Sequence, residues 1–201
     1  MTATHPEPPG NVASLRLLVR QVGHGWYRLH RAGRGPLYFG KQARNRFDAP
    51  AGEFGVLYVA KDAHGAFIET FGHETGRVPF VTEAELRERE LCVVTATRKL
   101  GLVDLSAEGL ARMGADAELT SGSDYALSRR WASALHGHPR KVDGILYRAR
   151  HDPARSCAAI FDRAEPALSA KRSGSLLDAT HARLLGTILD TYGYGLVPTS
   201  V

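Results

Sequence analysis

The pattern of apolar and polar residues outlines most of the elements. Leu15-Arg16-Leu17-Leu18-Val19-Arg20 is an apolar run compatible with a helix start or an edge strand. Gly25-Trp26-Tyr27-Arg28-Leu29-His30 alternates as a strand does, with Trp26, Arg28 and His30 on one face and Tyr27 and Leu29 on the other. Val56–Ala60 reads as the next strand, and Asp62 is placed to cap a helix running to about His73 with Phe67 and Phe71 on one stripe. Thr82-Glu83-Ala84-Glu85 has the form of a capping box. Leu91–Thr97 and Leu102–Leu105 read as strands, with Ser106 capping a short helix. A longer helix over Tyr125–His136 carries Trp131.

Ile145–Arg150 and Cys157–Asp162 are two further strands, separated by an Asp152-Pro153 turn. Leu176–Tyr192 predicts a helix with Leu177, Leu184 and Ile188 on its apolar face, stopping near Gly193. Residues 31–55 are rich in Gly and Pro, and a connection that long is usually functional or mobile. Helices and strands alternate irregularly rather than as βαβα. This predicts an α+β single domain with a mixed or antiparallel sheet core and flanking helices. Residues 1–11 are expected to form a flexible tail and 12–201 the domain.

Composition narrows the class. The chain has 201 residues, 43% hydrophobic and 23% charged, enough for one well-formed core. Lys and Arg number 26 against 21 Asp and Glu, a net +5 that favours anionic ligands or partners. Cys92 and Cys157 each lie in an apolar run and are expected to be buried, reduced thiols, with no metal site. The first eleven residues lack an apolar stretch of signal-peptide length, and no run approaches a membrane span. A soluble, cytoplasmic protein without membrane contact is expected.

Common catalytic motifs are missing. There is no Walker loop, no Gly-x-Gly-x-x-Gly turn, no His-Glu-x-x-His and no Gly-x-Ser-x-Gly. What remains is a constellation in the first third: Arg28 on a strand, Arg44-Asn45-Arg46-Phe47-Asp48 in the Gly-rich loop, Tyr58 on the next strand and Glu69 on the helix after it. Such a set suits a dinucleotide with a labile glycosidic bond. Guanidinium groups hold a pyrophosphate. A tyrosine ring stacks on a flat heterocycle. A carboxylate hydrogen-bonds a ribose hydroxyl and stabilises the cationic sugar formed when nicotinamide leaves. Each residue also has a plain reading: Arg28 as a solvent-facing strand residue, Arg44 and Arg46 as loop solubilisers, Tyr58 as a sheet aromatic, and Glu69 as an exposed helix residue. His64 and His73 lie near Glu69, where an isolated histidine is more often structural than a ligand.

At these residues the chain resembles the RES-domain toxins of bacterial RES–Xre toxin–antitoxin pairs, named for an arginine, a glutamate and a serine. The resembling stretches are Trp26–His30, Asn45–Pro50, Phe54–Ala60, Ala66–Phe71, Arg130–Ala132, Asp143–Arg148 and Arg150–Pro153, spanning roughly residues 25–165. The resemblance implies an ADP-ribosyltransferase-like fold, with NAD+ as substrate rather than cofactor. It also implies cleavage of the nicotinamide–ribose bond. Arg28 matches the named arginine and Glu69 the named glutamate, as the catalytic pair. Arg28, Arg46 and Tyr58 match NAD-binding positions. The acceptor would be water or phosphate before a protein. The resemblance further implies an Xre-like helix-turn-helix antitoxin, a homodimer within a larger complex, and contact with DNA only through the antitoxin.

Where the family has a serine, this chain has Ala149. A missing substrate contact there would weaken turnover, so the alternative is a catalytically silent protein that acts by binding its antitoxin. Ser128 and Ser156 are the nearby hydroxyls in sequence. A nucleic-acid binder or ribonuclease, resting only on the net charge, ranks last. Its cations (Arg16, Arg44, Arg98, Lys141, Arg172) are dispersed along the chain.

Overall fold

The computed structural model describes residues 5–23, 25–73, 79–106 and 108–199. Eight strands form one sheet: β1 (Val19–Val22), β2 (Trp26–Arg31), β3 (Val56–Ala60), β5 (Arg89–Ala96), β6 (Leu100–Asp104), β7 (Gly144–Arg148), β8 (Ser156–Phe161) and β9 (Leu168–Gly174). Their spatial order is β1-β6-β7-β8-β3-β2-β5-β9, every pairing antiparallel except β6–β7. A separate two-stranded parallel sheet joins β4 (Phe80–Thr82) to β10 (Gly195–Val197). The α+β expectation with a mixed sheet holds.

The helices form where capping and apolar spacing coincide. In α1 (Ala63–Phe71) the Asp62 carboxylate accepts the Gly65 N–H at 2.8 Å. In α2 (Glu83–Arg87) the Thr82/Glu85 capping box is complete. Two short helices follow, α3 (Glu108–Met113) and α4 (Glu118–Ser121). α5 (Tyr125–Gly137) is capped by Asp124 and buries Trp131, while α6 (Ala182–Tyr192) buries Leu185 and Ile188 and ends on Gly193 in a left-handed conformation.

One helix start shifts. The helix predicted from Leu176 begins only at Ala182, because Asp178 accepts the Ser175 N–H at 2.9 Å and closes a turn first. The Ser106 hydroxyl and N–H both donate to Asp104 Oδ1, at 2.6 and 2.8 Å; its expected capping of the next helix turns on residue 107, which lies outside the described residues. Within the stretch expected as a tail, His5 meets Asp116, Glu7 pairs with Arg130, and the Trp131 indole N–H donates to the Pro6 carbonyl at 2.9 Å. Residues 1–4 lie outside the described residues.

The sheet separates two apolar cores. The larger lies under α1, α5 and α6 and contains Phe47, Phe67, Trp131 and Tyr147; the smaller contains Trp26, Leu57, Cys92 and Ile160 and is covered by Leu37 and Phe39 of the long loop. Cys92 and Cys157 are buried and unpaired, as expected. Burial pushes the Cys92 thiol up to about 11. Among the described residues no helix is long and apolar enough to cross a membrane.

Phe67 is fully buried whereas Phe80 is 55% exposed. Phe67→Ala should therefore cost about 3–5 kcal/mol in a denaturant-unfolding measurement, and Phe80→Ala should change stability by no more than about 0.5 kcal/mol.

Candidate functional site

β2 and β3 share a single registered pair, Tyr27↔Ala60, whereas β2 pairs with β5 over six residues. Where the two strands diverge, a cavity of about 260 Å³ opens. Strands β2 and β3 form one wall and α1 another. The 45–46 loop segment and Tyr125 at the start of α5 close the rest, with Tyr147 of β7 reaching in.

Glu69 enters from the last turns of α1. Its Oε2 accepts the Tyr147 hydroxyl at 3.0 Å, and its Oε1 accepts the Arg150 backbone N–H at 3.2 Å. Burial raises the Tyr147 pKa well above its ordinary value, and the adjacent Glu69 charge adds to this. The phenol therefore remains a protonated donor that orients the carboxylate.

Arg46 is buried. One guanidinium nitrogen donates to the Gly122 carbonyl at 2.8 Å, and the group lies over the Tyr125 ring, 4.6 Å from its centroid. Burial lowers its pKa; the Tyr125 phenol, and more weakly Glu69, act in the opposite direction. A buried cation and a fixed carboxylate thus share one cavity.

Tyr58 lines the same cavity, but its hydroxyl is occupied. It accepts the Phe47 N–H and donates to Asp48 Oδ1, both at 2.9 Å. Asp48 in turn accepts the N–H groups of Arg44 and Asn45, each at 2.9 Å. Tyr58 and Asp48 together shape the loop that presents Arg46. Burial, reinforced by Asp48, raises the Tyr58 pKa well above its ordinary value.

The expected convergence of Arg28 with Glu69 is met only in part. Both residues line the cavity. On β2, however, Tyr27 and Leu29 pack against the larger core, and Arg28 falls on the Trp26 side, paired with Cys92 of the smaller core. Its guanidinium donates to the carbonyls of Pro36 at 2.7 Å and Tyr38 at 3.3 Å. Burial lowers its pKa to about 10. Arg28 thus anchors the loop that covers the second face.

Ala149 is 1% exposed, packs in the larger core and does not line the cavity; its N–H donates to the Arg155 carbonyl at 3.0 Å. The nearby serines are committed elsewhere: Ser128 donates to the Leu119 carbonyl at 2.8 Å, and Ser156 accepts from Arg148 at 3.0 Å. Tyr147, Arg150 and Tyr125 were missed as site residues. The alternation of β7 puts Tyr147 on the Ile145 face, but nothing in the spacing says that α1 lies against that face. His64 packs toward Tyr192, with ring centroids 6.2 Å apart. His73 lines the cavity, edge-on to His151 at 5.8 Å.

Comparison with known proteins agrees with this geometry. A family model described as the RES domain matches residues 23–182. A Sinorhizobium fredii protein described as "Probable toxin y4kH" is 35% identical over 114 residues, which is 57% of this chain and 87% of that protein. Among solved structures, a chain from the crystal structure of the M. tuberculosis MbcT-MbcA toxin-antitoxin complex superposes with a TM-score of 0.63. The match is 20% identical and covers 84% of this chain and 92% of that one. At that identity the likeness is one of fold.

Burial, followed by the charges of His73, Arg150 and Arg46, lowers the His151 pKa. Each of these disfavours the imidazolium, so protonation needs a lower pH. In an NMR titration the His151 ring resonances should turn over below the ordinary midpoint of about 6.5, and His73→Ala should move that midpoint upward. The sign for stability follows: the group's contribution is complete above the unfolded-state value and is withdrawn as the pH falls below it.

Proposed function

The chain belongs to the RES domain family, and on that footing we propose that it is the toxin of a toxin–antitoxin pair and cleaves the nicotinamide–ribose bond of NAD+. The observation that carries this reading is the Glu69 carboxylate, held from both oxygens inside a cavity that also contains the buried Arg46 guanidinium.

The chemistry follows from the charges. Nicotinamide in NAD+ is a cationic leaving group and needs no protonation. The C1′–N bond breaks, its electron pair returns to the ring nitrogen, and positive charge develops on the ribose. A fixed carboxylate beside that carbon stabilises the charge without reorganising at the moment of reaction. The acceptor oxygen, from water or phosphate, then bonds to C1′, and a water acceptor gives up its proton to solvent or to Glu69. Arg46 keeps further N–H donors beyond the one spent on Gly122, and these are suited to a phosphate oxygen. Tyr58 and Tyr147 present rings to the same space. Arg28 spends one guanidinium nitrogen on holding the 36–38 loop; it also lines the cavity, and its remaining N–H groups are suited to a second phosphate oxygen.

The partner in this reading is an Xre-like helix-turn-helix antitoxin, with DNA reached only through it and the toxin present as a homodimer in the complex. The named toxins among the relatives support the toxin–antitoxin part. The silent-protein alternative rested on Ala149. Its methyl lies outside the cavity lining, so the lost hydroxyl gives little reason to prefer that reading.

Incubation with NAD+ and measurement of released nicotinamide tests the proposal. Wild-type protein should turn over, and Glu69→Gln should lower kcat by about a hundredfold or more. Tyr147→Phe removes one hydrogen bond to a charged group, worth about 1.5–3 kcal/mol, so kcat should fall roughly ten- to a hundredfold with little change in KM. Release from wild type no faster than from Glu69→Gln would sink the reading.

A further inference from the structure

A second hollow, of about 190 Å³, shares no lining residue with the first. It lies at the β1–β6 edge of the sheet, bounded by Val19 and Gln21 of β1, by Arg98, Lys99 and Gly101 around the β5–β6 turn, and by residues 140–143 between α5 and β7. Asp143 is buried, and both its oxygens are taken: Arg98 donates to each at 2.7 Å, and Gly101 N–H donates to one at 2.8 Å. That pairing neutralises Arg98 and leaves three cations, Lys99, Arg140 and Lys141, around one hollow. Arg140 spends one N–H on the Leu17 carbonyl at 3.1 Å. Among the described residues neither lysine ammonium has a hydrogen-bond or ion-pair partner. Cations scattered along the chain thus converge on a space with no unpaired acid in its lining.

We propose that this hollow is a binding site for a phosphoryl anion, either free inorganic phosphate or the phosphate end of a nucleotide. The chemistry fits in three ways. Two strongly hydrated point charges and a forked guanidinium surround a small concave volume, a donor set that matches the oxygens of a phosphate. The Arg98–Asp143 pair is a fixed wall rather than a competitor, since its carboxylate is already satisfied. No aromatic ring lines the space, so the base stacking that single-stranded nucleic-acid grooves rely on is missing. Lys141 also sits at φ 47°, a conformation that favours glycine, so Lys141→Gly removes the charge without adding backbone strain.

The test is a ³¹P NMR titration of the full chain with inorganic phosphate, and separately with ADP, at ionic strength held constant with sodium chloride. In Arg46→Ala, where the first cavity has lost its phosphate donor, binding should still saturate, and adding Lys99→Ala/Lys141→Gly should weaken it at least tenfold. Tighter binding of ADP than of phosphate through the same lysines would identify a nucleotide as the source, and equal binding would identify the free anion. An unchanged melting temperature without ligand on adding the lysine substitutions shows that the fold is intact. Three results would overturn the proposal: no saturable binding in Arg46→Ala, binding there that the lysine substitutions leave unchanged, or lysine-dependent capture of a single-stranded oligonucleotide with no affinity for phosphate.

Discussion

A sheet keeps its backbone polar groups paired only while neighbouring strands run side by side, and β2 and β3 do so at one residue pair before they diverge. The rest of the site follows from that parting. The separation leaves a hollow inside an otherwise continuous eight-stranded sheet. α1 follows directly on β3 and is capped by Asp62, so it closes one side and delivers Glu69. The loop between β2 and β3 must cross the gap. It does so with a bridge at Gly40↔Val56, with Leu37 and Phe39 laid on the smaller core, and with Arg46 turned into the cavity. Arg28 and Tyr58 hold that loop at its two ends through hydrogen bonds to Pro36, Tyr38, Phe47 and Asp48.

The charges within the gap are arranged so that each is usable. A charged group enclosed in a cavity is costly unless hydrogen-bond partners satisfy it. Glu69 has Tyr147 and the Arg150 N–H; Arg46 has the Gly122 carbonyl and the Tyr125 ring. The two groups line one cavity without a direct ion pair between them, which leaves room for a ligand. The second hollow uses the opposite device: there a carboxylate is fully consumed by Arg98, and the excess charge is positive.

Much of this was legible along the chain. The alternation of Trp26–His30 and of Val56–Ala60 located β2 and β3. Asp62 and the Thr82/Glu85 box located two helix starts, and Glu69, Arg46 and Tyr58 do line one cavity. β9 was not legible. Its sequence, Leu-Ser-Ala-Lys-Arg-Ser-Gly, is that of an edge strand, where charged side chains face water and the apolar alternation is weak. Period-two reasoning correctly put Arg28 on the Trp26 face. The same parity gives its guanidinium the Pro36 and Tyr38 carbonyls of the loop on the smaller core, while Arg28 still lines the cavity beside α1.

What the sequence determined by itself was local: most of the segments that are strands or helices, two of the helix caps, and which face of each of those elements is apolar, because these depend on side-chain period and near-neighbour hydrogen bonds. Tertiary structure alone decided which of these residues meet. Tyr147 reaches Glu69 across 78 positions, Arg46 reaches Gly122 across 76, and Arg98 reaches Asp143 across 45. Contacts at such separations are set by the order of strands in the sheet and by where two of them part, and neither is written in the period of any single element.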